Sequence, residues 1–200
     1  MADPFADKAA FWDAQPVPVQ LSNGVGRAIL ARVPLSPTLR VLDFGAGTGL
    51  VCAQLAPHVA QVIAVDVSEA MLAKLRAKPE LQGKVEARCQ DLLTTPLDAP
   101  VDLVVSAMAM HHVQDTAALF RAFHQSLVPG GRVALADLDL EDGTFHAPGA
   151  EGVYHAGFAR EALTVALTQA GFTVVEFTKA CDVTKEGGTY AVFLVTATRT

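Results

Sequence analysis

No run of lysine or arginine stands out in this sequence, and acids outnumber bases, 21 to 15. The resulting net charge of −6 offers no electrostatic footprint for nucleic acid or an anionic membrane surface. Cysteine is scarce too. Cys52, Cys89 and Cys181 lie far apart without C-x-x-C spacing, which argues against a disulfide framework or a four-thiolate zinc site. No stretch reaches the roughly 20 apolar residues of a membrane span. The opening "MADPFADKAAFWD" carries acids where a signal peptide carries bases, and it lacks an apolar h-region. A cytoplasmic protein with reduced thiols is therefore expected. Charged residues make up only 18% of the chain against 51% hydrophobic ones, which excludes a disordered chain. The 200 residues suit one domain with a proper core.

Strand-like and helix-like stretches alternate along the chain. "RVLDFG" (40–45), "QVIAVDV" (61–67), "KVEARCQDL" (84–92), "VDLVVSAMAM" (101–110) and "GRVALADLDL" (131–140) read as strands. Between them, "TGLVCAQLAP", "SEAMLAKLRAK" with Ser68 as N-cap, and "DTAALFRAFHQSLVPGG" read as helices. A loop over 141–157 precedes the helix "REALTVALTQAGF", where Gly171 sits at a C′ position. Two β-rich runs, "FTVVEFTKA" and "TYAVFLVTATR", flank "KEGG" and predict a closing hairpin. The alternation predicts an α/β, Rossmann-like, doubly wound and mostly parallel sheet. Ligands of such sheets bind beyond the carboxyl ends of the strands.

The stretch "VLDFGAGTGL" follows the first strand and places glycines at 45, 47 and 49. Glycine lets a backbone turn tightly and approach a ligand without a Cβ in the way. A dinucleotide fingerprint, G-x-G-x-x-G, would need glycine at position 50, which is Leu50. Asp43 ahead of the loop would repel a pyrophosphate but suits the ammonium of an amino acid. Asp66 ends the second strand, where a ribose-binding carboxylate belongs. This pattern fits a cofactor that joins adenosine to a zwitterionic methionine better than one joined through phosphates.

Taken with "VIAVDVSEAML", "VDLVVSAMAMHHV" and "LVPGGRV", the sequence resembles a class I S-adenosylmethionine-dependent methyltransferase of the small bacterial type. The resemblance implies a single domain with a seven-stranded sheet of order 3-2-1-4-5-7-6, strand 7 antiparallel, over residues 37–200. Residues 1–36 would then form capping helices. It also implies S-adenosylmethionine as cofactor and S-adenosylhomocysteine as product. Gly45, Ala46, Gly47 and Gly49 would lie along the methionine part and Asp43 near it. Asp66 would bind the ribose, and Val67 and Met71 would pack on the adenine. Asp91 would meet the adenine amino group, with Leu92 supplying a backbone N–H. Ser106 and Ala107 would stand near the methionine amino group and the sulfonium.

On the acceptor side, four histidines fall in or after strand-end loops: His111, His112, His146 and His155. Each is a candidate to orient an acceptor or take its proton near neutral pH, or simply to pack against its neighbours. Asp137 or Asp139 with these imidazoles would be candidate metal ligands, but no H-x-x-x-H spacing supports this, and no metal is expected. The Asn/Asp-Pro-Pro-aromatic segment of enzymes that methylate exocyclic or amide nitrogens is absent from "SAMAMHH". A small-molecule acceptor with an O, S, N or C nucleophile is expected, with no nucleic acid or membrane partner and a monomer or homodimer state. Phe5, Phe11 and Trp12 are candidates to seal the pocket from water. A non-catalytic cofactor-binding or partner protein stays open as the alternative, and an NAD-type oxidoreductase as a third reading.

Overall fold

The structure is a computed structural model that describes Asp3 and residues 5–200. Met1, Ala2 and Pro4, part of the expected capping segment 1–36, lie outside the described residues. Seven strands alternate with helices: β1 (Arg40–Phe44), β2 (Gln61–Asp66), β3 (Val85–Cys89), β4 (Val101–Ala107), β5 (Leu127–Leu138), β6 (Phe172–Lys185) and β7 (Gly188–Arg199). They form one sheet in the order β3-β2-β1-β4-β5-β7-β6. Pairing is parallel up to β5, and β7 runs antiparallel to both β5 and β6. The expected order and the inverted strand are both present.

Side chains along each central strand alternate between two core layers, as the pleat requires. Val41, Val62, Val105 and Ala134 face a layer with α2 (Pro16–Arg32), α3 (Leu50–Leu55) and α4 (Glu69–Arg76). Leu42, Ile63, Val104 and Val133 face the other layer, with α5 (Thr116–Ser126) and α6 (Arg160–Gln169). Both faces being covered explains why these strands read as apolar on both sides. A four-residue helix, α1 (Ala6–Ala9), and a 3₁₀ turn, Trp12–Ala14, precede α2.

Local signals set the boundaries. Ser68 caps α4, its Oγ accepting from the Met71 N–H at 3.2 Å. Asp115 caps α5 by accepting from the Ala118 N–H at 2.8 Å. Glu186 and Gly187 both have positive φ, 50° and 84°, which joins β6 to β7 by a two-residue hairpin of the twist-matched kind. Several boundaries depart from expectation, and β3 and β4 end early, at Cys89 and Ala107 rather than at residues 92 and 110. The helix after the glycine loop spans only α3, and a 3₁₀ turn at Ala56–His58 takes over where Pro57 cannot continue hydrogen bonding. The α5 helix stops at Ser126, because Pro129 disfavours helix before it, and β5 begins at Leu127. That early start is accommodated by a register shift opposite Val101 and Leu103. The same strand ends at Leu138, not at residue 140.

Candidate functional site

The carboxyl ends of β1, β2, β4 and β5 share one edge of the sheet, and nearly every candidate residue gathers there. After β1 the chain turns back so that the Gly45 and Ala46 N–H groups both donate to the Val65 carbonyl, at 2.9 and 3.2 Å. All three loop glycines have positive φ, yet their surroundings differ. A Cβ on Gly45 would sit 2.3 Å from the Ala109 Cβ, and one on Gly49 would strike Leu75 and Leu81. A Cβ on Gly47 would meet nothing within 4 Å. Gly45 and Gly49 therefore close the loop against the protein, while Gly47 borders open space, a cradle that a side chain would fill.

Asp66 stands beside that space. Its Oδ2 accepts from the Gly47 N–H at 2.7 Å and its Oδ1 from the Ser68 N–H at 2.8 Å. These two donors fix the plane of a carboxylate that has about four acceptor directions, so two remain for a ligand's hydroxyls. Burial raises its pKa above the ordinary carboxylate value, against the pull of the Ser68 and Gly47 amides. The next residue, Val67, is 57% exposed, an apolar surface beside the carboxylate. Met71 is buried yet belongs to neither core layer. Asp91 is exposed and accepts from the Leu93 N–H at 2.9 Å, while Leu92 is buried.

Asp43 is 1% exposed and lies within the fold, where the Cys52 thiol donates to its Oδ2 at 3.0 Å. Burial pushes its carboxyl up to about 7, with the nearby Asp66 adding to the shift against the Cys52 hydrogen bond. Ser106, also buried, spends its hydroxyl on the Phe44 carbonyl at 3.1 Å, pinning β4 to β1. Ala107 is half-buried at the strand end, and Met108 follows it with φ +58°, a strained conformation for a residue with a side chain.

The described part of the N-terminal segment lies across this edge. Asp3 accepts from the Ser68 hydroxyl at 2.8 Å and from the Ala70 N–H at 3.3 Å, at the start of α4. Asp13 bonds the Thr48 hydroxyl of the glycine loop and pairs with Lys78 at 2.7 Å. The Phe5 ring stands edge-on to Trp12 and to His112, with centroids 6.2 and 5.4 Å away. Phe11 corrects the expected seal: it is 70% exposed, because a residue adjacent to the inward-packed Trp12 falls on another side of the turn.

Three of the four candidate histidines converge. His111, His112 and His146 have ring centroids 4.1, 4.9 and 5.8 Å apart pairwise. Asp137, at the end of β5 and fully buried, receives His111 twice: the ring Nδ1 lies 2.7 Å from Oδ1, and the backbone N–H donates to Oδ2 at 3.2 Å. The far nitrogen, His111 Nε2, lies 3.2 Å from His146 Nε2. His112 Nδ1 lies 2.6 Å from the Gly152 carbonyl. Burial, then the neighbouring His111, pulls both His112 and His146 down to about 4, so both rings are neutral at pH 7. His155 stands apart. Its Nε2 lies 2.9 Å from the Val113 carbonyl, its ring packs on Phe158, and its backbone N–H donates to the His111 carbonyl. It anchors the 141–157 loop to the turn that carries the other histidines. Among the described residues, no group of three or more His, Cys, Asp or Glu side chains is placed to hold a metal ion. No helix among them is long and apolar enough to cross a membrane.

Comparison with known proteins agrees with this architecture. A family model described as a methyltransferase domain matches residues 41–131, from β1 through the glycine loop to the first residues of β5. The chain is 31% identical over 159 residues to an O-methyltransferase of Pyrenophora dematioidea, covering 74% of this chain and 59% of that protein. A solved S-adenosylmethionine-dependent methyltransferase from Mesorhizobium loti superposes with TM-score 0.70 at 25% identity, covering 89% of this chain and all of that one. The chain belongs to the class I S-adenosylmethionine-dependent methyltransferases. The methyltransferase partner in a Haloferax volcanii complex with the activator Trm112 shares its fold, with TM-score 0.80 at 18% identity over 99% and 98% of the two chains. The chain matches about half the length of the first curated relatives, 42% and 60% for those of Schizosaccharomyces pombe and Mycobacterium bovis.

Within this class I methyltransferase, two functional features went unread as such in the sequence. Asp137 was noted only as a metal candidate, although it is the fully buried partner of His111. Its signal was an acid ending an otherwise apolar strand, "RVALADL". Asp3 and Asp13 gave no signal, since nothing local marks an acid that will reach a residue 65 or 35 positions away.

Proposed function

We propose that this protein transfers the methyl group of S-adenosylmethionine to a small-molecule acceptor. The observation that carries the proposal is the Gly47–Asp66 cradle: a glycine with φ +54° facing open space, bonded to a carboxylate with acceptor directions to spare. In this reading Gly45, Ala46, Gly47 and Gly49 shape the methionine end. Asp66 takes the ribose hydroxyls, Val67 and Met71 flank the adenine, and Asp91 and Leu92 meet its edge. Ser106 and Ala107 form the floor near the reacting centre. Asp43 acts from beneath the loop as a buried carboxyl whose ionisation burial holds back to about 7. When bound, the cofactor supplies an electrophilic methyl on a sulfonium, so the chain's own work is alignment and water exclusion. The N-terminal segment and the 141–157 loop perform the exclusion, His111, His112 and His146 face the acceptor, and His155 holds the loop in place.

Isothermal calorimetry with S-adenosylhomocysteine tests the cradle, and mass spectrometry with a labelled methyl donor across acceptor libraries tests turnover. Binding without any S-adenosylhomocysteine ever forming would support a second reading, a cofactor-binding partner protein.

A further inference from the structure

We propose that Asp137, His111 and His146 form a proton relay that takes the proton from a weakly acidic hydroxyl, such as that of a phenol, on the acceptor. The proposal rests on the methyl-transfer reading and narrows it to an oxygen acceptor.

The geometry dictates the direction of the relay. Asp137 has no proton to give when ionised, so the 2.7 Å contact requires His111 to carry hydrogen on Nδ1. The neutral ring then bears its lone pair on Nε2. At the 3.2 Å contact between the two Nε2 atoms, His146 must therefore be the donor, which leaves its own Nδ1 with a lone pair. That atom has no hydrogen-bond partner among the described residues, and His146 is only half-buried on a loop over the acceptor side. A proton arriving at His146 Nδ1 lets the Nε2 proton pass to His111. The positive charge then rests on a ring that is 1% exposed but paired with the Asp137 carboxylate. Methyl transfer to a neutral hydroxyl removes one positive charge from sulfur and releases one proton, and the relay holds that proton.

The surrounding charges favour a neutral hydroxyl over a cationic amine. Asp137 is engaged by His111 and by the Leu138 N–H. Asp139 is held by both arms of Arg160 at 2.7 Å. Glu141 accepts from the Thr144 and Phe145 N–H groups, and Asp142 from the Thr144 hydroxyl, which also meets Tyr190. Lys185, on β6, donates to the Phe145 carbonyl and adds positive potential at His146. Of the loop's three carboxylates, only the exposed Glu151 is without such a partner among the described residues. Phe145, buried in the core, backs the His146 ring edge-on at 4.9 Å, and Tyr154 and Leu140, 53% and 66% exposed, offer apolar surface for a ring-bearing acceptor.

The test uses the intact protein with phenol, 4-nitrophenol and benzoate as probe acceptors, and the variants His146→Ala and Asp137→Asn. The expected result is turnover of the phenols. Each variant should lose about 100-fold or more in kcat with phenol. The loss should be less than about 10-fold with 4-nitrophenol at pH 8.5, where that acceptor is already ionised and the relay's share of the barrier is gone. Affinity for S-adenosylhomocysteine should stay unchanged. Independently of activity, ¹⁵N–¹H correlation spectra at pH 7 should show hydrogen on His111 Nδ1 and on His146 Nε2, with the His111 preference lost in Asp137→Asn. Equal losses with both phenols, wild-type rates in His146→Ala, or hydrogen on His146 Nδ1 would overturn the relay. Turnover of benzoate but of neither phenol would overturn the acceptor class and leave methyl transfer standing. Failure to bind S-adenosylhomocysteine at all would instead remove the function reading on which the relay rests.

Discussion

The two halves of the proposed site are built by different means. On the cofactor side, backbone groups and one carboxylate come from a contiguous loop and a strand end 19 residues on. On the acceptor side, imidazoles and a buried acid come from three segments, with partners 26, 35 and 40 residues apart. The first half is shaped by φ values that glycine alone adopts easily. The second is shaped by side chains whose roles depend on which neighbour each one finds. A site made of backbone should respond to substitution all at once, whereas one made of side chains should respond group by group.

The largest effect expected is on the cofactor side. Gly47→Val fills empty space, so the fold should survive with about 1–2 kcal/mol of left-handed strain, while calorimetric binding of S-adenosylhomocysteine disappears. Gly45→Val is the control: its collision with Ala109 should lower the melting temperature itself. Retained affinity in the Gly47 variant would place the ligand elsewhere. Asp66→Ala should weaken S-adenosylhomocysteine by about 1–3 kcal/mol, roughly 5- to 150-fold in Kd. An unchanged Kd would remove Asp66 from the ribose.

Smaller effects follow from burial. The Asp43 carboxyl titrates near 7 in the fold against an ordinary value of 3.8. The native state thus holds an extra proton between these values, and the stability this contributes is lost as pH rises through them. Asp43→Asn should therefore raise the melting temperature of the empty protein more at pH 8 than at pH 5, by about 2–4 °C for each kcal/mol relieved. Thermal scans at the two pH values check this. On the acceptor side the sign reverses. His112 is held down to about 4 from 6.5, so its contribution is present above pH 6.5 and lost as pH falls toward 4. His112→Gln should make the acid-side fall in melting temperature shallower, and an identical profile would show that the ring does not resist protonation.

How legible each half was follows from the same contrast. Gly45, Gly47, Gly49 and Asp66 could be placed from spacing alone, because a strand–turn–helix unit with close backbone approach needs those residue types locally. The hairpin was readable at "KEGG" for the same reason, although its two central residues proved to be Glu186 and Gly187. His111, His112, His146 and His155 looked equivalent in the sequence. Folding separated them into a linked cluster of three and an anchor, because Asp137 sits in β5 opposite the turn that follows β4. Asp43 looked like a group at the loop's mouth, but strand alternation buries it against Cys52.

Period and punctuation along the chain were sufficient for the sheet, its closing hairpin and the class of cofactor loop, since strands, caps and positive-φ turns are decided within a few residues. Which imidazole meets which acid, which aromatic turns outward, and which carboxylate is left to carry its charge alone were settled only on packing. Those outcomes depend on strand register and loop path, and contacts made across dozens of residues leave no periodic trace in the chain.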